Sequence, residues 1–392
     1  MNLVLGTLEL TTIGGVGTYL VTVAEQLERM GHGVTVFAEE TGEMAEIAEG
    51  RGLRIVTVAE DLPDCCDAVY AQDTPSAYKL AERYREVPQA FCAHAPDHDR
   101  WTVPQLPGMT SVTVALHDRA ARYARSLAHS PQVVRLRQPV DIRRFSPRGS
   151  LATRPRRALV LGNYMSGDRL ELIREAFSDA GVEVVQRGLQ GGGFTVSPET
   201  EMNDCDIVVG KSRVIVEAMS CGRAAYICDH NGCDGWMTTD GYESFEADNF
   251  DGQANLGPAH ADRLRADVAR YRSEMGPANR DLAVAHHGAR SHAEALVEVF
   301  GRMAPRTESA AAPLDELARL TRVQWQSDAR SLGFEHEAKL LRAELELRNL
   351  EGAELRRETA LAQQRARDVE EQAAPARDWP LGALRRLRRA TR

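Results

Sequence analysis

The sequence predicts an α/β protein: two doubly wound, Rossmann-like domains facing a cleft, followed by a long C-terminal helix or coiled coil. Three features carry this expectation. Short apolar runs alternate with helical stretches from residue 1 to about residue 303, the pattern of parallel sheets covered on both faces. A stretch rich in proline and arginine, residues 139–157, interrupts the alternation and reads as a hinge. After Pro305 the composition turns to Glu, Arg, Leu and Ala, with almost no glycine or proline inside.

The first strand is expected at residues 3–5, ending in Gly6. A loop closing in Gly14-Gly15-Val16-Gly17 opens a helix that runs to about Met30, and Gly31-His32-Gly33 stops it before a strand at 34–38. Further strands are expected at 54–58, 68–71, 89–92, 111–115 and 133–136. The second series has a strand at 158–161, a helix at 169–180 and strands at 182–185 and 206–209. A helix carrying Glu217 follows, stopped by Gly222, then a strand at 224–228, a glycine-rich loop and a closing helical stretch at 279–303.

This organisation gives one Rossmann-like domain at 1–150, a second at 151–305, a helical region at 306–375 and a basic tail at 376–392. Residues 307–313 form a small-residue linker. Leu340, Ala343, Leu347 and Leu350 keep an a/d spacing; Leu355, Thr359, Ala362, Ala366, Val369 and Ala373 keep another, with a register break near Gly352. The pattern suits an oligomerising coiled coil or a solvated single helix. In the tail, Trp379, Leu381, Leu384 and Leu387 stand among six arginines, which suits an anionic membrane surface or a disordered basic tail.

Composition narrows the function classes. The 392 residues suggest about two or three domains. A net charge of -9 argues against nucleic acid as a partner. The seven cysteines form no CxxC pair, and Cys205, Cys221 and Cys228 fall in or beside apolar segments, so they read as buried thiols of a reducing compartment. No run approaches the roughly 18 apolar residues of a spanning helix, and Met1–Gly6 lacks the basic start of a signal peptide. A cytoplasmic protein, peripheral at the inner face of the membrane if its tail binds there, is the expectation.

The chemistry-bearing motifs cluster at strand ends. Glycines at 14, 15 and 17 allow close backbone approach and leave helix N–H groups for a ligand. The GxGxxG dinucleotide fingerprint is not met; Glu39 and Glu40 lie near the place of its ribose acid. Gly210-Lys211-Ser212 looks like the end of a P-loop, but Cys205 stands where that motif needs glycine. Lys211 and Arg213, at a helix N-terminus, suit a phosphate as point charge and fork. Glu217, in the apolar run IVEAMSCG, suits a ribose diol or a helix-dipole role. His94, in FCAHAPDHD, directly follows a strand and suits a sugar hydroxyl or a proton. Cys228, His230 and Cys233 lack a fourth zinc ligand, so no metal is expected.

Taken together, GGVGTYLVTVAEQLERMGHGVTVFA, the hinge PVDIRRFSP and VEAMSCGRA resemble the family-4-type glycosyltransferases, of GT-B architecture, over residues 1–303. The resemblance implies a retaining, metal-independent transferase without a cofactor, using a nucleotide-diphosphate sugar as donor and an unidentified acceptor, glycan, lipid-linked or small, in cell-envelope or glycoconjugate synthesis. It implies that the domain at 1–150 is the acceptor side and the domain at 151–305 the nucleotide-sugar donor side. It also implies that Gly14, Gly15 and Gly17 face donor phosphate and acceptor, that His94 contacts the transferred sugar, and that Glu217, as the second glutamate of the E-x7-E motif, binds the donor ribose. The sequence departs from the family at two places. Val209 stands where the first glutamate belongs, and no Arg–Lys pair for the diphosphate is clear in GNYMSGDR. In this divergent branch, Lys211 and Arg213 are expected to take the diphosphate. A non-catalytic GT-B-like scaffold organised by its coiled coil is the competing expectation, and a sugar-nucleotide epimerase a third.

Overall fold

The computed structural model describes residues 1–94, 101–128, 132–163, 165–189, 191–229, 232–254, 261–306, 313–314, 317–327, 355–365 and 367. Residues 1–323 form one compact unit holding two sheets.

The first sheet contains β1 (Asn2–Leu10), β2 (Gly33–Thr41), β3 (Ile55–Val56), β4 (Ala68–Ala71), β5 (Gln89–Ala93), β6 (Val112–Ala115) and β7 (Gln132–Arg135). Their order is β3-β2-β1-β4-β5-β6-β7, all parallel. Helices α1 (Gly15–Arg29), α2 (Glu43–Gly50), α3 (Thr74–Arg83) and α4 (Asp118–Ser126) make the crossovers. β1 is nearly continuously buried, as a strand covered on both faces must be. It runs through Gly6 rather than ending there, because Thr7, Glu9 and Leu10 keep pairing with Ala38, Glu40 and Thr41. Buried Asp73 caps α3 through the Ser76 N–H and accepts from Thr7 Oγ1 and the Leu8 N–H, tying that helix to β1.

The second sheet contains β8 (Arg157–Leu161), β9 (Glu183–Arg187), β10 (Ile207–Gly210), β11 (Ala224–Asp229) and β12 (Gly232–Trp236), in the order β12-β11-β10-β8-β9. Helices α5 (Gly167–Asp179), α6 (Pro198–Asn203), α7 (Arg213–Ser220), α8 (Tyr242–Ala247) and α9 (Ala261–Ala269) accompany it. The glycine-rich loop expected after β11 is instead β12, an antiparallel edge strand. Its glycines imitate a loop in the sequence, but Cys228 and Cys233 stand opposite each other across the hairpin and are disulfide-bonded. Cys228 is therefore not the free thiol expected of it, whereas buried Cys205 and Cys221 are free.

The closing helical stretch is two helices, α10 (Met275–His286) and α11 (Ala289–Arg302). They part at His287 and Gly288, where the chain pairs with the hinge: the Val140 N–H donates to the His287 carbonyl at 2.7 Å and the Ala289 N–H to the Val140 carbonyl at 2.9 Å. α11 then returns to the first sheet, burying Ala293, Leu296 and Phe300 in the core formed by Leu5, Tyr19 and Leu27. Farther on, Leu314 and Ala318 pack with Tyr78 and Met109. Arg322 reaches Glu39 at 2.8 Å and Glu40 at 2.6 Å, so the two acids considered for a dinucleotide ribose hold the C-terminal segment instead.

The second unit comprises residues 324–392. Its described parts, 324–327, 355–365 and 367, are helical, with Leu355 and Leu361 exposed. The spacing residues Leu340, Ala343, Leu347, Leu350, Ala366, Val369 and Ala373, the break near Gly352 and the tail from 376 lie outside the described residues, as does linker 307–312. No helix among the described residues is long and apolar enough to cross a membrane.

Candidate functional site

A parallel sheet binds ligands beyond its strand C-termini, where neighbouring strands send their crossovers to opposite faces. In the first sheet that point lies between β1 and β4, and in the second between β8 and β10. A cavity with about 830 Å³ of empty space, its open mouth included, is lined from both sheets. Ile13, Gly14, Gly15 and Thr18 line it from the loop after β1 and the start of α1. Leu161, Gly162 and Asn163 follow β8, and Arg213, Val214 and Glu217 come from α7, after β10. Asn163 Nδ2 donates to the Ile13 carbonyl at 3.4 Å, joining the two strand ends. At Gly188, which also lines the cavity, φ is +132°, and a Cβ there would lie 2.3 Å from the Gly162 carbonyl oxygen, so only glycine lets the β8 and β9 ends meet.

Gly14 and Gly15 have open space where a side chain would project, and no side chain caps α1. The first N–H groups of this helix are thus available to an anion or oxygen-rich ligand. Gly17 does something else: a Cβ on it would meet Met44 Cγ at 3.1 Å and Leu10 Cδ2 at 3.3 Å, so it lets α2 close on α1.

Glu217 is 5% exposed and accepts from Arg213 Nε at 2.7 Å through Oε1. Burial raises its carboxyl above the ordinary range against the lowering pull of the Arg213 guanidinium. Arg213, 6% exposed, also donates to the Pro139 carbonyl at 3.0 Å and to Thr22 Oγ1 on α1 at 2.9 Å. Its fork therefore joins α7, the hinge and the first sheet's leading helix before any ligand arrives. The turn feeding α7 has Ser212 at φ +51°, and the turn after α8 has Asn249 and Phe250 at +61° and +52°. They clasp one another: the Ser212 N–H donates to the Phe250 carbonyl and Asn249 Nδ2 to Ser212 Oγ.

Lys211 does not line this cavity. Its ammonium lies 3.0 Å from Asp251 and 4.0 Å from Asp229, in a cluster where Arg119 of α4 also reaches Asp251 at 3.1 Å. His94, at the end of β5, meets Gln72 Oε1 at 2.8 Å through Nε2 and stands edge-on to the Tyr19 ring, outside the cavity lining. Gly14, Gly15, Arg213 and Glu217 are thus brought together; Lys211, His94 and Gly17 are placed elsewhere. Val209, in place of the first motif glutamate, is fully buried in the second sheet's core.

Two groups of cavity residues, one on and after α2 and one in the hinge, carried no functional expectation from the sequence. Met44, Ile47 and Arg51 form one stripe along and just beyond α2, and all three line the cavity. Arg144 comes from the hinge, donating to Glu199 at 2.8 Å and to the Val196 carbonyl at 3.1 Å. The i, i+3, i+7 spacing of Met44, Ile47 and Arg51 was the available signal for the first, and the hinge motif itself for the second.

No protein-family profile matches the chain, and no curated protein sequence matches it. Solved structures do. The chain is similar to Anabaena HepE, solved in complex with UDP and glucose, at 12% identity and a TM-score of 0.55, over 77% of this chain and 100% of that one. The protein has the GT-B fold. A glycosyltransferase from Rickettsia africae matches this GT-B chain at 12% identity and a TM-score of 0.51, over 76% of this chain and 97% of that one. WaaG, a glycosyltransferase involved in lipopolysaccharide biosynthesis, matches at 10% identity and a TM-score of 0.51, over 76% and 100%. The likeness establishes the GT-B architecture, with its cavity between the two sheets.

Proposed function

We propose that the protein is a glycosyltransferase that takes its sugar from a nucleotide-diphosphate donor. The observation that carries this reading is the meeting of the uncapped α1 terminus at Gly14 and Gly15 with the buried carboxylate of Glu217 across one cavity at both sheets' ligand-binding edges. A helix terminus of free N–H groups suits a diphosphate, and a carboxylate that only accepts suits a ribose diol. The UDP in the HepE complex supports a nucleotide-sugar donor here. The resemblance to family 4 supports retention of configuration without a metal. In this reading the α1 terminus stabilises charge as it develops on the leaving diphosphate, and His94, outside the cavity lining and against the Tyr19 ring, would orient the transferred sugar where that sugar extends past the cavity toward β5. The acceptor is a glycan, a lipid-linked or a small molecule, and the basic tail would bring the protein to an anionic membrane.

A non-catalytic scaffold is the second reading, and Val209 favours it, because a core valine cannot hydrogen-bond a sugar. The two are separated by calorimetric titration of nucleotides and nucleotide sugars into the wild-type chain and Glu217→Gln, whose amide oxygen still accepts from Arg213. The transferase reading expects binding of at least one nucleoside diphosphate, weakened about tenfold or more in the variant, roughly 1.4 kcal/mol. Equal affinity in both proteins would remove Glu217 from the site. No binding of any nucleotide would leave the scaffold.

A further inference from the structure

The cavity carries a feature that a bare diphosphate and ribose site does not need. Apolar side chains also line it: Met44 and Ile47 from α2, Phe145 from the hinge, and Phe194, Val196 and Pro198 from the stretch that leads from β9 into α6. Such a slot suits a flat aromatic body. At this slot stand two guanidiniums, Arg51 and Arg144, whose side chains are 25% and 26% exposed. Arg144 spends one nitrogen on Glu199 and the Val196 carbonyl and so holds the 194–198 loop. Arg51 has a looser tether. Its ion-pair partner, Glu25, lies 3.6 Å away, beyond hydrogen-bond length, and burial together with the nearby Arg144 and Arg213 charges disfavours its cation. A partly buried guanidinium in that position gains from oxygen acceptors on a ligand.

We infer that Arg51, beside Arg144, reads the base of the donor nucleotide and selects one whose edge offers acceptors. This rests on the donor reading above and deepens it. Arginine carries five donors and no acceptor. On that edge guanine presents the acceptors O6 and N7 and uracil, like thymine, presents O4; adenine sets an amino donor beside its N7 acceptor, and cytosine places an amino donor there. An amino group turned toward Arg51 leaves two donors facing each other. The cavity therefore takes a uracil- or guanine-type nucleotide and rejects the adenine and cytosine types.

The test is calorimetric titration of the full chain with UDP, GDP, ADP, CDP and inorganic pyrophosphate, repeated with Arg51→Ala and Arg51→Gln. UDP or GDP should bind at least about tenfold more tightly than ADP and CDP. Arg51→Ala should reduce that ratio severalfold while leaving pyrophosphate affinity unchanged. Arg51→Gln, which offers both donor and acceptor, should recover part of the ADP or CDP affinity. ADP or CDP binding as tightly as UDP and GDP overturns the inference and leaves the donor reading standing. So does an equal loss for all four nucleotides and pyrophosphate in Arg51→Ala, which would make Arg51 a phosphate contact. Absence of binding by every nucleotide overturns both.

Discussion

At the scale of single residues, the second sheet's site is organised by one arginine. Arg213 was expected to meet a phosphate, and its three acceptors, Glu217, the Pro139 carbonyl and Thr22 Oγ1, make it a fastener between sheets as well. Removing one partner of a buried pair leaves the other charge uncompensated, at about 3–5 kcal/mol, whereas replacing both with apolar residues of similar size is often neutral. Arg213→Met should therefore destabilise the ligand-free protein by roughly that amount in denaturant unfolding, and Arg213→Met with Glu217→Leu should recover most of it. A single variant within about 1 kcal/mol of wild type would show that the fork carries little structural weight. The sequence showed Glu217 as a lone carboxylate in an apolar helix, which is why it was legible; its i, i+4 spacing from Arg213 was equally visible. Thr22, 191 residues from Arg213 along the chain, was not, because no local pattern announces a contact between sheets.

At the scale of elements, the parallel strands were legible because each is a short apolar run bounded by turn residues, and β4 falls at 68–71 as expected. β12 was not: Gly232 and Gly235 carry a loop signal, and only its pairing with β11 makes it a strand. The break between α10 and α11 was likewise hidden, since the hinge specifies it. There His287 Nδ1 donates to the Gln138 carbonyl at 2.7 Å while Nε2 accepts from Tyr242. One turn on, His292 Nδ1 donates to the Arg137 carbonyl while Nε2 accepts from Tyr19. Burial pushes these imidazoles down to about 3 and about 4, and that of His117, capping α4, to about 4. An unfolded histidine titrates near 6.5, so as pH falls below that value the unfolded chain takes up protons that the folded chain refuses. The stability these groups contribute is complete above pH 6.5 and is lost as pH falls toward 3–4. Between pH 7.5 and pH 5 each loses about 2 kcal/mol. Glu217 and Glu246, whose carboxyls burial raises, act in the opposite sense just above 4.5 and offset part of the loss. The unfolding free energy should be clearly lower at pH 5 than at pH 7.5, and less steeply pH-dependent in His287→Gln. A flat profile over that interval would exclude buried neutral histidines at the hinge.

At the scale of the whole molecule, composition marks a change after Pro305, but the compact unit runs on to Val323. Composition reports what a segment is made of; docking depends on a few side chains within it. Leu314 and Ala318 bury against Tyr78 and Met109, Arg306 is buried with its N–H on the Glu86 carbonyl, and Arg322 pairs with Glu39 and Glu40. A chain ending at Val323 should therefore unfold at the same midpoint as the full protein. One ending at Pro305 loses the burial of Leu314 and Ala318 and uncovers their partners, at a cost of about 3 kcal/mol. Light scattering on the full protein and on the chain ending at Val323 tests the oligomerising role of the C-terminal region. If residues beyond 323 associate, the full protein has a multiple of the monomer mass and the chain ending at Val323 has the monomer mass. Because the cavity is lined entirely by residues 13–217, both should bind nucleotide alike. Equal particle mass per chain in both would deny the C-terminal region its role in assembly, and weaker nucleotide binding by the shorter chain would show that the region reaches the site.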